Sequence, residues 1–393
     1  MVTNKEQNKL NVPHLRFPEF HGEWEKCKLG DIAEFSTARI SSVKLDCKNY
    51  VSTENMLQDF QGVVEAKSVP NETNVISFTC GDILISNIRP YLKKVWKATF
   101  DGGCSSDVFV LQATDTVAKD YLHYAVANDK FINYVMSGAK GVKMPRGDKN
   151  QMRTYQLSLP SIQEQYKIAK LLTLLDERIA TQSKLIEDLK KLKSAIIDYA
   201  INSLDSGFVK FGSLYEMAGE GGTPTTSNVS FYDNGKIPFI KIDDLKKKYL
   251  TENKDFITEL GLQKSSAWLV PTRSILFSNG ATIGEITITT YPVCTKQGIL
   301  GIVPKPNVDV EFLYYFMTSS YFKKAVSRIV TEGTMKTAYL KDINNIRCPI
   351  PIKGKQQDIA KMPSALNSKI DFEQSILKLF CSQKQYLLRQ MFM

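Results

Sequence analysis

Few residues in this chain have both the type and the spacing that catalysis needs. There are three histidines. His14 and His21 fall in the first 23 residues, and His123 sits in a helical apolar pattern. A general base needs a neighbour to orient it, and none of the three has one in sequence. No Ser/His/Asp set, no metal-ligand spacing and no Gly-x4-Gly-Lys-Ser/Thr phosphate loop occurs. Gly219-Glu220-Gly221-Gly222 runs into Pro224, without the strand-to-helix frame of a dinucleotide site. Asn87-Ile88-Arg89-Pro90-Tyr91 has only a superficial likeness to the catalytic tetrad of adenine methyltransferases. Asp59 with Glu65-Ala66-Lys67 has the carboxylate–carboxylate–lysine order of metal-dependent nucleases, an order that chance also produces. The expectation is no catalytic residue, no metal and no enzyme activity of the chain's own. An unrecognised nuclease or methyltransferase site is the alternative, and a purely structural adaptor is another.

Binding fits the composition better. The formal charge of +10 favours an acidic partner such as nucleic acid. The seven cysteines have no CxxC pairing, as expected of reduced thiols. The polar N-terminus lacks a signal-peptide core and no apolar run reaches 18 residues, so the expected location is cytoplasmic, with no membrane partner.

The element that must position everything else is a helix expected over 161–204, which has neither Gly nor Pro. At ~1.5 Å per residue it would be roughly 65 Å long. Its heptad seam reads Leu175, Ile179, Gln182, Ile186, Leu189, Lys193, Ile196, Ala200. The same pattern returns 191 positions later as Leu366, Ile370, Glu373, Leu377, Phe380, Lys384, Leu387, Met391. The segments before the helices repeat too. Lys28-Leu29-Gly30-Asp31-Ile32 matches Lys210-Phe211-Gly212-Ser213-Leu214, and Asp82-Ile83-Leu84-Ile85-Ser86-Asn87 matches Ser274-Ile275-Leu276-Phe277-Ser278-Asn279. The interiors, 36–75 against 218–265, do not align. A repeat this long is a duplicated domain, one scaffold carrying two sets of loops.

The expected architecture is α+β: two pseudo-repeated α/β domains separated by two long antiparallel coiled-coil helices. Residues 1–160 would hold an N-terminal arm and the first domain, 161–206 the central helix, 207–351 the second domain and 352–393 the C-terminal helix. A parallel in-register pair would set Lys193 against Lys384, so an antiparallel pair is expected. Matching seam to seam places Ile186 opposite Phe380, Lys193 opposite Glu373 and Gln182 opposite Lys384. Pro363, where the first helix has Leu172, should kink or restart the second.

Three motifs carry a resemblance. They are Gly221-Gly222-Thr223-Pro224, Ser278-Asn279-Gly280-Ala281-Thr282-Ile283-Gly284, and the entry to each long helix, Pro160…Gln165…Ile168-Ala169 and Pro351…Gln356…Ile359-Ala360. With the repeat, these resemble the specificity subunit of type I restriction-modification enzymes over nearly the whole chain from Trp24. The resemblance implies two target-recognition domains, each reading half of a bipartite site in double-stranded DNA. It implies two conserved helical regions that dock two methyltransferase subunits, and motor–nuclease restriction subunits that complete the assembly. This chain would be a DNA-binding, non-catalytic subunit directing adenine methylation and restriction. S-adenosylmethionine, ATP and Mg2+ would be bound by the partners and no cofactor by this chain. The first domain departs from the pattern with Ser36-Thr37-Ala38-Arg39 in place of the Gly-Gly-Thr-Pro turn, and Lys355 stands where the first helix has Glu164.

Reading DNA takes cations for phosphates and amides or guanidiniums for base edges. In the first domain the candidates are Asn87, Arg89, Lys93, Lys94, Lys140, Lys143 and Arg146. In the second they are Lys241, Lys246, Lys247, Lys248, Asn279, Thr282, Lys296, Gln297 and Lys336.

Overall fold

A computed structural model describes residues 11–280, 282–330 and 336–392. The first ten residues of the arm, and Ala281 of the Ser278–Gly284 motif, lie outside them. The chain divides into two compact units. The first comprises 1–183 and 375–393, and the second 184–374. Each unit therefore takes in part of both long helices, which the sequence pattern alone sets apart as regions of their own.

The first unit is built on a four-stranded antiparallel sheet in the order Ala33–Phe35, Val108–Ala113, Ile83–Ser86, Val95–Lys97. A second sheet runs Arg39–Ser41, Asn74–Phe78, Gly102–Cys104, Tyr50–Val51, its last pair parallel. The strand Ile83–Ser86 is buried on both faces, which its unbroken apolar run predicts. Helices Lys119–Val126 and Asp129–Ser137 pack their apolar sides into a core with Trp24, Leu111, Ile168, Leu172, Met391 and Phe392.

The second unit repeats this frame. Tyr215–Glu220, Ile299–Pro304, Ile275–Ser278 and Ile286–Thr289 take the same order, and Tyr249–Leu250 extends the sheet in parallel. Cys294–Thr295 again pairs in parallel with an upstream strand, here Ile237–Ile240. What differs is the edge. The antiparallel neighbour of the parallel pair adds to the downstream strand in the first unit and to the upstream strand in the second. This is the stretch whose sequences do not align. Helices Val310–Thr318 and Ser320–Ile329 fill the core with Phe277, Ile197, Ile201 and Ala360.

The long helices run Ile162–Asn202 and Lys353–Met391. Each opens on the repeated glutamine, and the structure shows its purpose. Gln165 is buried; its Oε1 accepts from Ala118 N at 2.8 Å and its Nε2 donates to Pro160 O at 2.9 Å. Gln356 does the same with Asp309 N and Pro351 O, both at 2.8 Å. One amide thus ties each helix entry to the loop that precedes the paired helices, and leaves neither of its own groups unsatisfied.

Every seam position from Leu175 to Ile196 and from Leu366 to Met391 is buried or half-buried. The helices are antiparallel within each unit. In the first unit Lys384 pairs with Asp176, while the Arg178 guanidinium lies 4.6 Å from the Phe380 ring centre. In the second, Lys193 Nζ donates to Asn367 Oδ1 at 2.9 Å, and Ile197 and Ile201 share a core with Ala360. The expected register is corrected: Lys193 meets Asn367 rather than Glu373, and Glu373 pairs with Lys369 one turn back on its own helix. Lys384 meets Asp176 rather than Gln182. The slip is close to one heptad. Its cause is that both lysines reach past the seam to acceptors just beside it, Asp176 next to Leu175 and Asn367 next to Leu366. Burial then lowers the Lys193 pKa, with Asp371 opposing the shift. Asp176 and Asn367 stand at the same 191-residue offset as the two lysines, so the contact itself is duplicated. At Pro363 the restart is corrected, since one helix continues through it from Lys353 to Met391. Pro363 is buried, and Ser364 beside it is hydrogen-bonded to Lys248, Glu311 and Tyr315, so packing holds the turn that lacks a backbone bond.

Candidate nucleic-acid interface

In the first unit the end of strand Ile83–Ser86 turns outward as Asn87-Ile88-Arg89. It meets a hairpin closed by Lys140 and Arg146, whose backbones exchange hydrogen bonds of 3.1 and 2.9 Å. Arg89 N donates to Pro145 O at 2.8 Å and Gly147 N to Asn87 O at 3.0 Å, which locks the hairpin base to the strand end. Arg89 takes a left-handed φ of 51°, which turns the chain sharply at this point. Arg89, Lys140, Lys143 and Arg146 are all exposed here. Acidic neighbours restrain two of them: Arg146 lies 3.3 Å from Asp107, and Lys140 lies 3.6 Å from Asp148. Asn87 is half-buried, and its Oδ1 is enclosed without a hydrogen bond. Lys94 is spent on the fold, donating to Thr53 O at 2.6 Å, while Lys93 forms a solvent-accessible ion pair with Asp129 at 2.8 Å. Burial, then the nearby Arg89, lowers the Lys94 pKa.

The second unit gathers the corresponding loops. Asn279 N donates to Gly298 O at 3.0 Å and Ala338 N to Asn279 O at 2.9 Å. Gln297 N reaches Thr223 Oγ1 at 3.4 Å, and Lys296 N reaches Ile240 O at 2.9 Å. These bonds bring Thr282, Lys296, Gln297, Lys336, Lys241 and the Gly-Gly-Thr-Pro turn to one end of the sheets, the first five exposed. The glycines of that turn are needed for close approach and not for a positive φ. A Cβ on Gly221 would lie 2.2 Å from Thr295 O, and one on Gly222 would lie 2.3 Å from Ser266 Oγ.

Two candidates in this unit are corrected. Asn279 is buried, its Nδ2 donating to Ala338 O at 3.3 Å and its Oδ1 enclosed without a hydrogen bond, so its amide closes a loop junction. Lys248 is buried in an ion pair with Glu311 and donates to Ser364 Oγ at 2.9 Å. In sequence it was indistinguishable from Lys246 and Lys247, because a run of three cations does not say which one turns inward. Lys246 and Lys247 are exposed and lie near Asp243 and Glu252. Two further cations, for which the sequence carries no signal, lie on the first unit's own rings: Lys149 is 4.7 Å from the centre of Phe109, and Arg153 is 5.7 Å from that of Phe35.

Burial shifts three of the groups suited to covalent or acid–base chemistry. Burial pushes the Cys104 thiol up to about 12 and Cys294 up to about 11. His123 is pushed down to about 4 by burial and then by Lys384, and its Nδ1 is enclosed with no hydrogen bond. Among the described residues no group of three or more His, Cys, Asp or Glu could hold a metal ion, and no helix is long and apolar enough to cross a membrane.

Comparison with known proteins agrees with this duplicated arrangement. The type I restriction modification DNA specificity domain matches residues 21–191 and again 204–379. The type I restriction enzyme MjaVIII specificity subunit of Methanocaldococcus jannaschii is 23% identical, over 94% of this chain and 91% of its own. The EcoR124I/EcoR124II specificity subunit of Escherichia coli is 25% identical, over 49% of this chain and 50% of its own. In fold, the S subunit of a type I restriction-modification system from M. genitalium superposes with a TM-score of 0.59 at 16% identity, covering 97% of this chain and 99% of that one. Two copies of one domain, each with its own loop cluster and its share of the paired helices, account for this likeness along the full chain: it belongs to the family of type I restriction-modification DNA specificity subunits.

Proposed function

We propose that this chain is the DNA-recognition subunit of a type I restriction-modification complex, each unit reading one half of a bipartite site. The observation that carries this is the convergence of exposed cations from separate loops at one end of the same sheet frame in both units, joined in the second by the exposed amide of Gln297. Two methyltransferase subunits and motor–nuclease subunits would supply adenine methylation and cleavage, with S-adenosylmethionine, ATP and Mg2+ bound by them. Docking helices are supported by exposed apolar residues at seven-residue spacing: Leu185, Leu192 and Tyr199 on the central helix, and Phe372, Leu379 and Tyr386 on the C-terminal one. Such stripes lie off the buried seam and suit a further helix.

Methylome sequencing of a host with and without the chain tests the reading. A two-part adenine-methylation motif should appear only when the chain is present. An unchanged methylome in a host that carries the partner subunits would reject it.

Binding should be dominated by phosphates, so affinity should fall about a thousandfold between 50 and 200 mM salt if six or more are contacted. Lys143→Ala with Arg146→Ala should weaken binding on the order of tenfold and reduce the log–log salt slope by about two. An unchanged slope in a salt titration by fluorescence anisotropy would remove that hairpin from the interface.

A further inference from the structure

The hairpin in the first unit carries a feature that phosphate binding does not use. At its tip Val142 is fully exposed and Met144 is 47% exposed, which in water gains nothing for either side chain. The tip nonetheless stands on a hydrogen-bonded stem. Its stem is the Lys140–Arg146 pair, Pro145 is buried beneath it, and Ile88 bridges Arg146 from the strand end. Gly141 takes a φ of +99° to make the turn, and a Cβ there would crowd Met144 O at 3.2 Å. Three exposed cations, Lys140, Lys143 and Arg146, flank the two apolar side chains along the hairpin, Lys140 and Arg146 also lying beside Asp148 and Asp107. An occupant must be anionic on the outside and apolar within. A base-paired duplex is both: phosphates would meet the flanking cations, and the stacked bases the tip.

We propose that Val142 and Met144 act as a wedge that inserts at one base step of the first half-site and unstacks it. Apolar wedges flanked by cations part base steps in this way and favour the steps that unstack most easily. Flexible pyrimidine–purine steps would then be preferred there without any hydrogen bond to a base edge. This rests on the DNA reading above and adds a readout mechanism to it.

The test uses the full chain co-purified with its methyltransferase partners, and a duplex bearing the motif found by methylome sequencing. The adenine analogue 2-aminopurine is walked through both half-sites, because its fluorescence rises when it unstacks. We expect a rise of about threefold or more at one step of one half-site. Val142→Ala with Met144→Ala should abolish most of that rise and leave the salt slope unchanged, whereas the Lys143 and Arg146 variants alter the slope. If the motif duplex is bound in preference to a scrambled one but no position brightens, or the double variant brightens equally, the wedge is wrong and the DNA reading stands. If the motif duplex is bound no better than the scrambled one, the DNA reading falls and the wedge falls with it.

Discussion

Arg16→Ala is expected to destabilise the first unit by about 3–5 kcal/mol, because it strands a carboxylate in the core. Glu164 sits in the first turn of the central helix and is 0% exposed. Its two oxygens accept from Arg16 Nε and Nη2, both at 2.8 Å, a bidentate pair that satisfies the carboxylate in plane. The carboxylate in turn raises the Arg16 pKa, against the opposing effect of burial. Arg16 also donates to the carbonyls of His21 and Gly22, which folds the arm back on itself. Around it Leu15 N donates to Gln390 O at 3.0 Å, and Lys167 lies 4.7 Å from the Phe17 ring centre. The arm therefore closes over the entry of one long helix and the exit of the other. Arg16→Met with Glu164→Leu should recover most of the loss, since removing both charges leaves none buried. Thermal unfolding and hydrogen exchange across 119–137 would measure it. A single variant within about 1 kcal/mol of the parent, or a double variant no better than the single, would show that the pair is dispensable.

Lys248→Ala is expected to have a comparable effect in the second unit. The Lys248 side chain is 3% exposed and that of Glu311 is 20%. The pair is cross-braced: Ser364 Oγ donates to Glu311 Oε2 at 3.1 Å, Tyr315 Oη lies 3.1 Å from Ser364 Oγ, and Tyr249 Oη donates to Glu311. Burial works against charge on Lys248, yet the bonds to Glu311 and the tyrosines raise its pKa overall. Burial likewise works to raise Glu311, and the bonds from Lys248 and Tyr249 lower it overall. The sign of the pH dependence follows. The Glu311 contribution is present above the ordinary carboxylate range and is lost as pH falls through its depressed value. The Lys248 contribution is present below the ordinary lysine value and is lost as pH rises through its elevated one. Between those limits removal of the lysine alone should cost about 3 kcal/mol. Lys248→Met with Glu311→Gln should cost less and flatten the acid limb of a stability–pH curve. A single variant that melts with the parent at neutral pH would contradict this.

Much of this molecule could be read from the chain by itself, because two of its signals are periodic and repeated. The seam from Leu175 to Ile196 and its copy from Leu366 to Met391 state which face of each helix is buried, since helical geometry turns spacing into position. The like charges of Lys193 and Lys384 at equivalent places state the antiparallel direction. The duplicated Asp82–Asn87 and Ser274–Asn279 runs state that one sheet frame occurs twice. Tertiary structure alone decided what depends on neighbours distant in sequence. The register of the helices was settled by Asp176 and Asn367, which stand beside the seam and not in it, so a pattern match among seam residues slid by about a heptad. That the helix continues through Pro363 goes with the packing around Ser364. Lys248 and Asn279 looked like ligand-facing groups because their types suit DNA, and only the approach of Glu311 and of the Ala338 carbonyl turns them into supports. Residue type and spacing specify an element and its buried face. Which polar side chain is left over to meet a partner is decided by the acceptors that the fold brings to it.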